Sequence, residues 1–197
     1  MKKFTVITSK VVPLLMEDVD TDQIIPSRFL KETRREKCME NVFRDWRYGK
    51  DGFINKNFVL NNPIFSGEIL LSGRNFGCGS SREHAVWAIY DYGFRVVISS
   101  FFADIFKENA LNNGLLVIEI SDKFLKKLFY TIYKEPNTNI KVDLIQQVVK
   151  IVNTKYFEKF SISTYKKICF INGYDDIDFL ISMRKEIEHF ENKRNIN

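Results

Sequence analysis

Glu68-Ile-Leu-Leu-Ser-Gly-Arg-Asn-Phe-Gly-Cys-Gly-Ser-Ser-Arg-Glu-His-Ala85 decides how this chain is read. A short apolar run bounded by glycines comes first. Ala85, Ala88, Ile89 and Tyr92 then recur at helical spacing until Gly93 ends the pattern. The stretch is therefore a strand–loop–helix corner. Its loop gathers flexible backbone, two hydroxyls and a guanidinium in Gly77, Cys78, Gly79, Ser80, Ser81 and Arg82. Ser80 with Glu83 fits a Ser-x-x-Glu capping box, in which each side chain satisfies a free amide of the first turn. That reading leaves Gly77, Gly79, the doubled serine and Arg82 unexplained, because a cation in the first turn opposes the helix dipole. A bound anion would resolve the conflict, since the exposed amides, the dipole and Arg82 would all face it.

Familiar glycine loops do not account for the stretch. Gly77-x-Gly79 begins like a dinucleotide fingerprint, but Arg82 occupies the position of the third glycine, where its bulk would block close helix–strand packing. There is neither the Gly-Lys-Ser/Thr ending of a phosphate loop nor the Gly-x-Ser-x-Gly elbow of a hydrolase.

Outward from the corner the pattern is regular. Strand 69–72, helix 80–92, strand 94–99, helix 101–112, strand 115–120 and helix 122–134 alternate, which predicts an α/β unit with a parallel sheet flanked by helices. Ser121 is placed to cap the last of these helices, and Gly114 ends the one before it. Phe4 to Leu15 reads as a strand. Additional β segments follow at Ile140–Leu144, Val148–Asn153 and Tyr156–Ser163, and two helices, Tyr165–Asn172 and Ile177–Glu191, close the chain. Residues 27–62 read as a loop-rich excursion. The acidic turn Glu17-Asp-Val-Asp-Thr-Asp22 lacks the glycine and terminal glutamate of a calcium hand and reads as a polar turn facing the site. No repeat or linker divides residues 1–197, so a single domain is expected.

Composition agrees with a globular protein: 45% of the 197 residues are hydrophobic, enough for a sizeable core. The formal charge of +5 is spread in pairs such as Arg34-Arg35 and Lys126-Lys127 with acids between them, which argues against a nucleic-acid surface. No apolar run reaches the length of a membrane span, and Thr8, Ser9 and Lys10 interrupt any signal-peptide core, so a cytoplasmic protein is expected. Cys38, Cys78 and Cys169 are too far apart for a Cys-x-x-Cys metal site, and His84 and His189 stand alone. No metal site is expected in this chain.

Asp18-Val-Asp-Thr-Asp-Gln-Ile-Ile-Pro26, Phe43-Arg-Asp-Trp-Arg47, Asn75-Phe-Gly-Cys-Gly-Ser-Ser-Arg-Glu-His-Ala85, Ala103-Asp-Ile-Phe106 and Asn172-Gly173 occur in a familiar order. Together they resemble the small-subunit family of 3-isopropylmalate dehydratases, in which this subunit is the equivalent of the mobile swivel domain of the aconitase superfamily. The resemblance implies the swivelling β/β/α fold. It also implies a hydro-lyase of leucine biosynthesis that moves a hydroxyl between neighbouring carbons through an alkene diacid. By motif position, Ser80 would be the catalytic base, and Ser81 and Arg82 would hold a substrate carboxylate. Gly77, Cys78, Gly79, Glu83, His84 and Asp22 would support the loop and the helix start. The family's [4Fe-4S] cluster would come from a large subunit in a heterodimer or heterotetramer, so this chain would be inactive alone.

In this family the segment after Pro26 helps choose the substrate. Arg34 or Arg35 would contact a carboxylate, and Phe29 and Leu30 would flank an isopropyl group; the same residues also fit surface charges and a core pair. Relatives commonly carry Arg-Thr-Gly where this chain has Arg35-Glu36-Lys37, and a serine where it has Phe101, whose capping role Ser100 is placed to take over. A homoaconitase or methylmalate/citraconate hydratase subunit, and a non-catalytic anion-binding module, are the alternatives.

Overall fold

Lys10 alone separates β1 (Val6–Ser9) from β2 (Val11–Leu14), yet the two strands enter different sheets. The computed structural model describes residues 1–31 and 35–194. After β2 come the short helix α1 (Thr21–Ile24), a 3-10 turn at Ser27–Phe29, helices α2 (Arg35–Glu40) and α3 (Arg44–Arg47), and a second 3-10 turn at Val59–Asn61. The regular alternation follows: β3 (Ile69–Ser72), α4 (Glu83–Tyr92), β4 (Val96–Ser99), α5 (Asp104–Asn112), β5 (Leu116–Glu119) and α6 (Asp122–Lys134). The chain then runs through β6 (Ile140–Asp143), β7 (Val148–Ile151), β8 (Phe157–Lys159), α7 (Thr164–Asn172), α8 (Asp176–Ser182) and α9 (Arg184–Arg194).

Among the described residues the strands form two four-stranded sheets, β2-β3-β4-β5 and β1-β6-β7-β8. The first is parallel throughout and the second antiparallel throughout. The parallel strands read as unbroken apolar runs because both of their faces are covered. Val12, Leu14, Leu70, Val97 and Val117 meet a layer of helices contributing Ile24, Ala85, Ile89, Phe106 and Ala110. Their neighbours Val11, Ile69, Leu71, Val96, Ile98 and Leu116 face α6 and the antiparallel sheet, through Leu128, Ile132, Val142 and Val149. The architecture is thus helices, parallel sheet, antiparallel sheet, with α6 beside the last. The excursion of residues 27–62 packs mainly by aromatics: Trp46 stacks on Phe43 at 5.5 Å and tilts against Phe58.

Several boundaries differ from the sequence reading. Phe4–Leu15 is two strands, because the chain changes sheets at Lys10. The final helical run breaks at Met183, which closes α8 before α9 begins. Helix α5 starts at Asp104, with Ala103 as a cap that offers no side-chain bond. Ser100 is therefore not a cap; its hydroxyl is buried and has no partner among the described residues. Helix α4 starts at Glu83 rather than Ser80, and no capping box forms there. Leaving a helix start without a side-chain cap costs about 1 kcal/mol. Burial of Ala85, Val86, Ala88 and Ile89 offsets it, since a buried Val or Ile alone contributes about 1.5–3 kcal/mol.

Candidate functional site at the Gly73–His84 corner

The loop between β3 and α4 is shaped by two glycines in left-handed conformations. At Gly77 (φ +79°) a Cβ would sit 2.2 Å from the Phe106 ring, and at Gly79 (φ +86°) 2.1 Å from the Asp20 carboxylate. Both contacts lie far inside van der Waals distance, so only glycine lets the loop lie against α5 on one side and the acidic turn on the other. The acidic turn is sewn to the loop by backbone: Gly77 N–H and Cys78 N–H donate to Val19 O at 2.8 and 3.2 Å, and Thr21 N–H donates to Cys78 O at 2.9 Å. The Thr21 hydroxyl donates to Ser80 O at 2.8 Å. Asp20 caps α1, accepting from Asp22 N–H while its own N–H donates to the Gln23 side chain.

These bonds leave Ser80 and Ser81 on display. Both are exposed, and among the described residues neither hydroxyl is bonded to protein. Glu83 does not reach back to Ser80; its carboxylate accepts from the Asn113 side chain at 2.8 Å. Asn113 is also the acceptor for Trp87 Nε1, and His84 packs on the Trp87 ring at 4.7 Å. The cap position of α4 belongs to Arg82, whose extended backbone (φ −138°, ψ 101°) opens the first amides of the helix.

Arg82 does not press its charge against the helix start. Its Nη1 donates to Asp22 Oδ1 and to Ile25 O, the latter at 3.2 Å, which draws the guanidinium towards the acidic turn. Arg82 holds the Asp22 carboxyl below the ordinary carboxylate range, with Ser27 N–H, a donor to the same Oδ1 at 3.0 Å, helping. Among the described residues Nε and Nη2 of Arg82 have no protein partner.

The corner opens on a cleft of about 240 Å³ lined by Thr21, Ser80, Ser81, Arg82, Asp104 and Ile105 among others. The starts of α4 and α5, both without side-chain caps, border it. Exposed hydroxyls, open amides and a guanidinium are groups that can hold an anion, and they share this small cleft with the Asp104 carboxylate. A larger depression of about 500 Å³ lies beyond α6, but its lining of threonines, asparagines and apolar residues holds Glu135 as its charged group and neither a cation nor a serine, cysteine or histidine.

Of the residues singled out from sequence, Gly77, Gly79, Ser80, Ser81 and Arg82 line the cleft. Asp22 touches Arg82, while Cys78 is held in the loop backbone. Phe29 and Leu30 are half-buried and pack against the helical-layer core, outside the cleft lining. Arg34 lies outside the described residues, and Arg35 enters only as the first residue of α2. Thr21, Asp104 and Ile105 also line the cleft, and although they lie in the segments 18–26 and 103–106 that carry the resemblance, their residue types alone do not mark them as site residues. Thr21 sat within the quoted Asp-Thr-Asp run, but that its hydroxyl reaches Ser80 across 59 positions has no local signal.

Among the described residues no three His, Cys, Asp or Glu side chains gather as metal ligands. Cys38 is buried in the helical layer, and Cys169 lies beside Phe170, which packs on the opposite face of the parallel sheet. The Cys78 thiol is pushed up by burial and by Asp20 and Asp18, the reverse of what a thiolate ligand needs. This chain's thiols do not fit a three-thiolate cluster site.

The parallel sheet and the corner lie within the part of the chain that matches a family model described as the aconitase C-terminal domain, residues 1–123. The 3-isopropylmalate dehydratase small subunit of Cytophaga hutchinsonii is 57% identical, with 97% of this chain and 95% of that protein covered. The subunit of the same name from Christiangramia forsetii is 58% identical, with 98% and 95% covered. A solved structure of 3-isopropylmalate dehydratase from Methanocaldococcus jannaschii matches with a TM-score of 0.65 at 28% identity, covering 94% of this chain and 99% of that one. The chain belongs to the 3-isopropylmalate dehydratase small-subunit family. Among the described residues no helix is long and apolar enough to cross a membrane.

Proposed function

We propose that this chain is the small subunit of a 3-isopropylmalate dehydratase, interconverting 2- and 3-isopropylmalate through 2-isopropylmaleate in leucine biosynthesis. The observation that carries the reading is the pair of unbonded serine hydroxyls beside Arg82 at the open start of α4. One substrate carboxylate binds to Ser81, the first α4 amides and the unbonded N–H groups of Arg82. Ser80, as its alkoxide, takes the proton from the carbon next to the one that bears the hydroxyl, the C–H electron pair forms the double bond, and the hydroxyl leaves with the C–O pair as hydroxide, leaving the alkene diacid. Return of water with the opposite regiochemistry completes the isomerisation.

Ser80 cannot act as a base unaided. A helix terminus offers at most about 2 kcal/mol, roughly one and a half pK units, far short of what a serine hydroxyl needs at neutral pH. Arg82 and exclusion of water on closure supply part of the difference. A [4Fe-4S] cluster held by a large subunit would supply the Lewis acidity that this chain's residues lack. The site is therefore split between two chains in a cytoplasmic heteromer. The described residues move as one swivelling unit, and this chain alone is inactive. The near-full-length relatives, named for the isopropyl substrate, support it over other malates.

Anaerobic mixing tests the proposal, with absorbance of the unsaturated diacid followed from 3-isopropylmalate. Activity is expected only with the cluster-loaded large subunit present; a verified complex that leaves 3-isopropylmalate unchanged would overturn the assignment.

A further inference from the structure

The parallel strands β2, β3 and β4 end on one edge of the molecule, and that edge carries more than the cleft. A groove of about 300 Å³ lies there, lined by Leu125 and Phe129 of α6 and by Leu15 and Met16, which follow β2. Gly73, just after β3, also lines the groove and opens the loop that leads to Ser80. The Ser99 hydroxyl, 2.6 Å from Gly73 O and 2.9 Å from Phe101 O, ties that loop to the one after β4. Leu15 is 65% exposed, Phe101 43% and Ile105, at the cleft, 53%. An uncovered apolar band thus runs from the groove to the cleft, and such a band bordered by charged residues marks an interaction site. Its border is acidic. Glu17 and Asp122 at the groove, Asp18 beside Arg74 and Asp104 at the cleft are exposed, against Arg74 and Lys126, in a chain whose formal charge is +5. Acids around a cleft that holds a carboxylate oppose the approach of a free dianion. They suit instead a protein surface bearing lysines and arginines.

We propose that this band is where the large subunit docks, and that the face it presents is basic, with an apolar side chain seated in the groove between Leu15 and Phe129. This docking rests on the proposed function, in which a second chain completes the cleft: a chain that reaches Ser80 also covers the rim at Phe101 and Ile105. Apolar contact along the band excludes water from the cleft. Cations placed against Glu17 and Asp104 remove the charge that opposes the substrate, so a carboxylate binds at Arg82 more tightly in the complex than on this chain alone. A second exposed apolar face, Ile177, Leu180 and Ile181 of α8, lines neither the groove nor the cleft.

The test is anaerobic titration of the full chain with the cluster-loaded large subunit at low and high salt, comparing wild type with Leu15→Asp, Glu17→Lys and Leu180→Asp. Leu15→Asp is expected to raise Kd by about 30-fold, the size for a central interface anchor, with the thermal midpoint of the isolated chain unchanged. Glu17→Lys is expected to weaken binding several-fold at low salt and to flatten the salt dependence seen in wild type. Leu180→Asp is expected to bind as wild type does. A wild-type Kd for Leu15→Asp overturns the proposal, as does a loss confined to Leu180→Asp, which would move docking to α8. Wild-type binding by Glu17→Lys at low salt overturns the basic face. A wild-type complex that assembles through Leu15 but leaves 3-isopropylmalate unchanged defeats the proposed function alone, whereas an active complex indifferent to Leu15→Asp defeats the docking surface alone. A wild-type chain that does not bind the large subunit defeats both.

Discussion

Ser121 and Ser80 each stand ahead of a helix, and the two serines are used in opposite ways. At α6, Ser121 accepts from Phe124 N–H at 3.2 Å and donates to Glu158 at 2.6 Å, so its hydroxyl is fully committed to the fold. At α4, Ser80 stands before a glutamate at capping-box spacing, yet the helix starts three residues later and the hydroxyl is unbonded among the described residues. The difference comes from the loops. Ser121 follows β5 almost directly, whereas Gly77 and Gly79 turn the chain aside, and Thr21 fixes Ser80 by its carbonyl rather than its side chain. On the proposed function, the hydroxyl of Ser80 that the fold leaves uncommitted is the one that meets the substrate.

The sharpest way to break the comparison is to remove each hydroxyl. Ser80→Ala is expected to lower kcat of the complex by about 10²–10⁴-fold, the range for a positioned general base, with the thermal midpoint unchanged. Ser121→Ala is expected to do the reverse, costing about 1 kcal/mol of stability in denaturant unfolding while kcat holds. Next in size is Arg82→Gln, expected to lower kcat/KM by about a hundredfold, as for a charge-assisted hydrogen bond of about 1.5–3 kcal/mol, seen mainly in KM. Thr21→Val removes the bond to Ser80 O and is expected to cost about 1 kcal/mol in stability, with a smaller loss of kcat through misplacement of Ser80.

The smallest effect concerns Asp22. Because Arg82 holds its carboxyl below the ordinary value of 3.8, the pair contributes fully above that pH and its contribution is lost as pH falls through the lowered folded value. The stability difference between wild type and Asp22→Asn, measured by urea unfolding, is therefore expected to be constant near neutrality and to shrink in acid below 3.8. A difference that vanished on raising the pH instead would show that Arg82 does not depend on the Asp22 charge.

Much of the frame was legible because burial writes itself into sequence. Ile69–Ser72 and Asp122–Lys134 are elements with the bounds their patterns predict, one apolar on both faces and the other on a single stripe. The corner stands out in the sequence as a candidate site because glycines, serines and an arginine have few reasons to stand together, and the structure gathers Gly77, Gly79, Ser80, Ser81 and Arg82 around one cleft. Its local geometry was less legible. The Ser80–Glu83 spacing suits a cap, and what diverts it is a contact with the acidic turn about 60 residues away. For Phe29 and Leu30 the two readings, alkyl pocket or core pair, differ only in which way the side chains turn, and they pack against the core.

The central claim is that Ser80 is withheld from capping in order to react. Anaerobic single-turnover assay of a verified Ser80→Ala complex against wild type, reading formation of the unsaturated diacid from 3-isopropylmalate, tests it most directly. The account predicts an intact complex that has lost turnover; a Ser80→Ala complex that matches the wild-type rate would contradict it.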